Sequence, residues 1–149
     1  MDIRSKAVES SSWLHLRDSS DELLYETKRG EVDGEPADVP DLDRPVRVHL
    51  HSPGSKSFSR AQAAKQNRMM EKLRKKGKIS DSAEQQIEES SQFLTECTIE
   101  WENMSYDQLQ GAHMSKAVYS DSSIGFIPEQ VSKHLGEWGN FTRTAPKPS

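Results

Sequence analysis

The sequence predicts an α+β chain that is predominantly α-helical: a small N-terminal antiparallel β element, then a helical hairpin, then further short helices. Three observations carry this expectation. Residues 44–51 alternate apolar and polar side chains, the period of a half-buried strand. Residues 57–76 and 81–102 repeat apolar residues at spacings of three and four, the period of a helix face. Beyond residue 103 the apolar residues come in short sets broken by Gly, Ser and Pro.

The core available to such a chain is thin. Only 32% of its 149 residues are hydrophobic and its mean hydropathy is −0.87. Those values predict unpacked stretches around one modest domain. A net charge of −4 argues neither for nor against nucleic acid as a partner. One cysteine excludes an internal disulfide framework and fits a reducing compartment. No apolar run approaches the roughly 20 residues that cross a bilayer. The start, MDIRSKAVESSS, lacks the apolar stretch of a secretory signal. The expectation is a cytosolic protein.

Taken in order, residues 1–43 are expected to be flexible and partly extended. Trp13, Leu14 and Leu16, and then Leu23, Leu24 and Tyr25, offer short strands either side of the turn residues Asp18–Asp21. Residues 31–43, EVDGEPADVPDLD, hold six acids, no base and two prolines, and read as a loop or linker. The core domain is expected over 44–141. Its strand, 44–51, places Val46, Val48 and Leu50 on one face and Arg47, His49 and His51 on the other. A single strand is unstable alone, so 13–17 or 22–27 is expected to pair with it.

Helix 57–76 begins at Ser57 as N-cap and stops at Gly77. Its basic face comprises Arg60, Lys65, Arg68, Lys72, Arg74, Lys75 and Lys76. Lys78–Ser80 is a short turn. Helix 81–102 starts at Asp81, three residues before Glu84, the spacing of a capping box. Its apolar stripe is Ile87, Ser90, Leu94, Cys97 and Trp101, with glutamates largely off it. The two helices read as an antiparallel hairpin, basic on the first arm and acidic on the second. A helix over 105–120 follows, capped by Ser105 and weakened by Gly111. The last helix, 127–137, has Pro128 at its start and Ile127, Val131 and Leu135 on one side. Trp138 and Phe141 are apolar anchors, and 142–149 reads as a disordered tail.

Sharp chemical readings find little support. His49 and His51 share a strand face that suits zinc, but a site needs further ligands and the sole cysteine sits in the helical stripe. Cys97 as a nucleophile requires a base such as His113 or His134; a buried small residue is the preferred account. The basic run over 56–78 has the charge for phosphates, yet Phe58 is its only aromatic and an acidic helix follows it. An enzyme is not expected, and neither is a cofactor or a metal. Met69 and Leu73, with Ile87, Leu94 and Trp101, offer either core or an adaptable groove for a partner helix. Ile127, Val131, Trp138 and Phe141 are the further candidates for partner contact.

The ordered set of segments from 44 to 141 resembles the tail assembly chaperone family of long-tailed bacteriophages. The segments are HLHSPGSKSF (49–58), AQAAKQNRMMEKLRKKGK (61–78), LTECTIEWENM (94–104), MSKAVYSD (114–121) and FIPEQVSKHLGEWGNF (126–141). GAHM (111–114) departs from the pattern, which leaves the local helix boundary open. The resemblance implies a non-enzymatic assembly factor in the cytoplasm of an infected bacterial host. It would bind the tape measure protein, keep its long hydrophobic helix soluble, and help the tail tube protein polymerise around it. Self-association is a further implication. A structural component retained in the virion, such as a tail or head-completion protein, is the alternative, with a nucleic-acid-binding module on the basic helix behind it.

Overall fold

A computed structural model describes residues 1–77 and 82–142. Four strands, β1 (Ser11–His15), β2 (Tyr25–Val32), β3 (Glu35–Pro45) and β4 (Arg47–His51), precede the helices α1 (Lys56–Lys76) and α2 (Ala83–Cys97); a fifth strand, β5 (Thr98–Glu102), then leads to the helices α3 (Gly111–Ser120) and α4 (Phe126–Leu135). Short 3₁₀ turns cover Ile3–Lys6, Ser122–Ile124 and Trp138–Phe141. Helical residues make up 49% and strand residues 28% of the described chain. This corrects the expected fold class. The chain is not predominantly helical with its β structure confined to the N-terminus; strands run through it and form two small antiparallel sheets.

One sheet has the order β1-β4-β5. β4 is central because its alternation is strictest: Val48 and Leu50 are fully buried while Arg47 and His49 lie on the opposite face. Of the two segments expected to pair with this strand, 13–17 or 22–27, the first does so as β1, with Trp13 opposite His49. The third strand was not expected. Residues 98–102 are not the end of a helix over 81–102; α2 stops at Cys97. The Thr98 hydroxyl donates to the Leu94 carbonyl at 2.7 Å, closing the helix. β-branched Thr98 and Ile99 with aromatic Trp101 suit a strand, and β4 supplies the ladder. A register shift between His49 and Leu50 leaves Ile99 as the extra residue of a bulge, 42% exposed.

The second sheet is the hairpin β2-β3. Residues 31–43 are therefore strand and turn, not a loop or linker. Asp33 (φ 52°) and Gly34 (φ 80°) form the turn, the left-handed pair that the right-handed twist of two strands requires. The first residues are tied down as well: the Glu9 amide donates to the Phe141 carbonyl at 2.6 Å.

Helices cover the inner face of the three-stranded sheet. Leu16, Val48 and Leu50 meet Leu94, Cys97, Val118, Val131 and Phe141 in one core. Each large side chain buried there contributes about 1.5–3 kcal/mol. The helix expected over 105–120 begins only at Gly111. Asp107 (φ 47°) and Gln108 (φ 61°) are left-handed and cannot continue a helix. The last helix runs over 126–135, and Pro128 falls in its first turn, where its missing amide costs nothing. Asp81 and the turn Lys78–Ser80 lie outside the described residues, as does the tail beyond Thr142. Among the described residues no helix is long and apolar enough to cross a membrane.

Candidate binding surface

The helical hairpin builds a concave surface. Ser55, not Ser57, caps α1, its hydroxyl accepting the Phe58 amide at 3.1 Å. Gly77 (φ 70°) ends it. Ser82 caps α2 by accepting the Gln85 amide at 3.2 Å. The two arms pair by charge as expected. Arg68 bridges Glu89 at 2.7 Å and Glu96 at 2.8 Å, and Lys72 reaches Glu89 at 3.8 Å. Lys116 of α3 continues the network to Glu88 at 2.7 Å on the far side of α2.

Above these ion pairs runs a furrow. A hollow of about 600 Å³ lies between α1, α2 and the end of α4, with Phe58, Met69, Phe93, Leu94 and Leu135 in its lining. Phe58 and Phe93 meet edge to face at 5.7 Å, and the Lys65 ammonium stands 5.0 Å over the Phe93 ring. A second hollow of about 240 Å³ shares Lys65 and Met69 and carries on past Lys72, Gln85 and Glu89. From Phe58 to Lys72 the trough follows about 21 Å of α1, nearly four helical turns. A separate hollow of about 480 Å³ opens beside β5, lined by Ile99, Trp101, Met104 and Leu109 among others.

The residues expected to contact a partner divide into four groups. Met69 lines the trough, and Leu73 and Ile87 are exposed near it. Trp101 belongs to the β5 hollow instead; its indole N–H donates to the Ser115 hydroxyl at 2.8 Å. Leu94, Ile127, Val131 and Phe141 are core, each at most 3% exposed, so they are corrected from partner surface to interior. Apolar spacing selects a buried face without saying what buries it, and here α2 and the sheet do. Trp138 is 56% exposed and sits against Gly54, where an added Cβ would lie 3.3 Å from its ring. Of the basic face, Arg68 and Lys72 are engaged with α2, Lys65 with Phe93, and Arg74 and Lys75 with Glu71 of their own helix at 3.2 and 3.6 Å. Arg60 and Lys76 are exposed.

Phe93, partly buried in the trough, was not singled out as surface; Phe58 and Leu135 reach the trough from the core. Phe93 adjoins the Leu94 stripe, and only the fact that α2 lies between α1 and α3 gives the helix two apolar faces. The outer face of the large sheet is polar but internally occupied. Trp13 stacks on His49 at 4.5 Å, Arg47 sits 4.5 Å over Trp13, and His49 shares a 2.8 Å hydrogen bond with Ser11. Arg47 also pairs with Glu102 and holds that carboxyl below its ordinary range. Among the described residues no group of three or more His, Cys, Asp or Glu side chains is placed to hold a metal ion. Burial pushes the Cys97 thiol up to about 12, so it is a neutral packing group.

The fold and trough define a small α+β protein with an open trough, apolar at the Phe58–Phe93 end and largely polar beyond Met69. Compared with protein-family models, curated proteins and solved structures, the chain finds no match.

Proposed function

We propose that this chain is a non-enzymatic binding protein whose trough receives an amphipathic helix of another protein, and that it serves in phage tail assembly with the tape measure protein as that partner. The observation that carries the first part is the trough itself. It is open, about four turns long, floored by Phe58, Met69 and Phe93, and rimmed by Lys65, Lys72 and Glu89. A methionine among aromatic residues adapts to varied helix faces, as binding a long, irregular apolar helix requires. The ordered resemblance over residues 44–141 supports the second part, with the tail tube protein as a further contact in the host cytoplasm.

The test is co-expression with a phage tape measure protein. That protein is expected to move into the soluble fraction with the wild-type chain and to remain insoluble with Met69→Glu, which places a charge in the trough. Equal solubility with and without the wild-type chain defeats the proposal. Mass spectrometry of purified particles separates a transient chaperone, which is absent, from a retained virion component.

A further inference from the structure

Beyond its root the hairpin β2-β3 packs chiefly on itself. Tyr25 touches His15 edge to face at 4.9 Å, and the Pro45 carbonyl accepts the Asn103 side-chain amide at 2.8 Å. The rest projects as an arm. An isolated two-stranded sheet is marginal in water and needs something to lie against. Its composition says what. Residues 25–45 carry seven acids against three bases, a net charge of −4. The whole chain is also −4, so everything outside the arm is neutral in sum. Two of the arm's apolar side chains are exposed, Val32 by 51% and Leu42 by 71%.

A complementary surface exists on the same molecule. Arg60, Asn67, Met70 and Arg74 follow one another at spacings of seven, three and four along the side of α1 turned away from α2. Met70 is 57% exposed between the two arginines, and the Arg74 side chain 75%. β2 is about 27 Å long and α1 about 31 Å, so one can lie along the other. We propose that the acidic arm of one copy docks on the outer face of α1 in a second copy. The contact joins two different patches, so it closes reciprocally in a two-fold dimer or repeats head-to-tail in rings and filaments. It leaves the trough, on the opposite side of α1, free. The inference stands apart from the partner reading, since it concerns this chain alone.

Sedimentation velocity of the purified full chain tests it. Association is expected to grow with protein concentration and to weaken between low salt and about 0.5 M NaCl. Asp41→Lys with Asp43→Lys brings the arm to neutrality; Arg60→Glu with Arg74→Glu reverses the helix face. Each double variant, its fold checked by circular dichroism, is expected to lose association at least about tenfold. Mixed together they are expected to form a 1:1 dimer and nothing larger, because one good arm then meets one good helix. A chain that stays monomeric at low salt overturns the proposal. So does association that survives either variant, or a mixture that does not associate.

Discussion

Trp101 gives the sharpest test of the architecture, because its partner depends on whether residues 98–102 are strand or helix. In the strand, Trp101 pairs with Val48, faces inward, and donates its indole N–H to Ser115 at 2.8 Å, with its ring 5.5 Å from that of Tyr119. Trp101→Phe keeps most of the apolar body and removes the donor. Ser115 is only 3% exposed, so its hydroxyl loses a partner where water does not replace it, a cost of about 1–3 kcal/mol. Ser115→Ala leaves the N–H of a half-buried indole that water can still reach, a cost of about 0.5–1 kcal/mol. The double variant removes both ends and is expected to cost about 1 kcal/mol less than the sum of the singles. Trp101→Ala, which also empties a half-buried ring site, is expected to cost about 3 kcal/mol. At about 2–4 °C per kcal/mol for a chain of this size, that lowers the Tm by about 6–12 °C. Urea unfolding followed by far-UV circular dichroism measures all four proteins. Additive single and double variants would refute the Trp101–Ser115 contact and with it the placement of β5.

Further predictions address charge, pH and the arm. Arg68→Ala leaves Glu89 and Glu96 together on α2 with side chains only 15% and 25% exposed; the expected loss, between exposed and buried pairs, is about 2 kcal/mol in urea unfolding. Burial holds the His134 imidazole below its ordinary 6.5, despite the opposing pull of Glu137, and burial with repulsion from His49 does the same at His51. A lowered histidine is neutral in the fold and takes up a proton on unfolding, so stability is full above about pH 6.5 and falls as pH drops below it. His134→Gln is expected to flatten a Tm profile taken from pH 7.5 down to about 5.5. Gly34→Val places a β-branched residue at φ 80°. Hydrogen exchange over residues 25–45 is expected to accelerate, while the Tm of the body stays within about 2 °C because the arm is not part of its core.

What could be read in advance follows from the range of the interaction involved. β4 was legible because alternation of Val46, Val48 and Leu50 is local, and the charged hairpin because Arg68 and the glutamates announce themselves by block. β5 was not, because over five residues the two periods coincide: Trp101 is four residues from Cys97, as a helix face demands, yet also alternates with Glu100 and Glu102 as a strand does. The tie is broken by β4, some 50 residues earlier. The arm failed for a different reason. Its prolines at 36, 40 and 45 and its acids argue for a loop, and its one positive signal, Asp33-Gly34, is a hairpin turn that outweighs them when strands flank it. Ile127 and Val131 were correctly placed on an apolar face and wrongly assigned to a partner, since periodicity is blind to what covers the face.

The low hydropathy of the chain takes on another meaning once the arm is seen. A mean of −0.87 suggests unpacked stretches when averaged over every residue. The polarity is concentrated in two places instead. One is the α1–α2–α3 interface, where ion pairs of Arg68, Lys72 and Lys116 occupy ground that a larger protein fills with leucine. The other is the arm, a strand pair without a core of its own. Neither stabilises as a packed apolar core does: part of an ion pair's attraction offsets the desolvation of its charges, and a lone hairpin is marginal. Both are sensitive to the charges a neighbour brings. A molecule built this way holds its fold with one compact core beneath β4 and leaves its charged interface and its arm the parts most responsive to ionic strength.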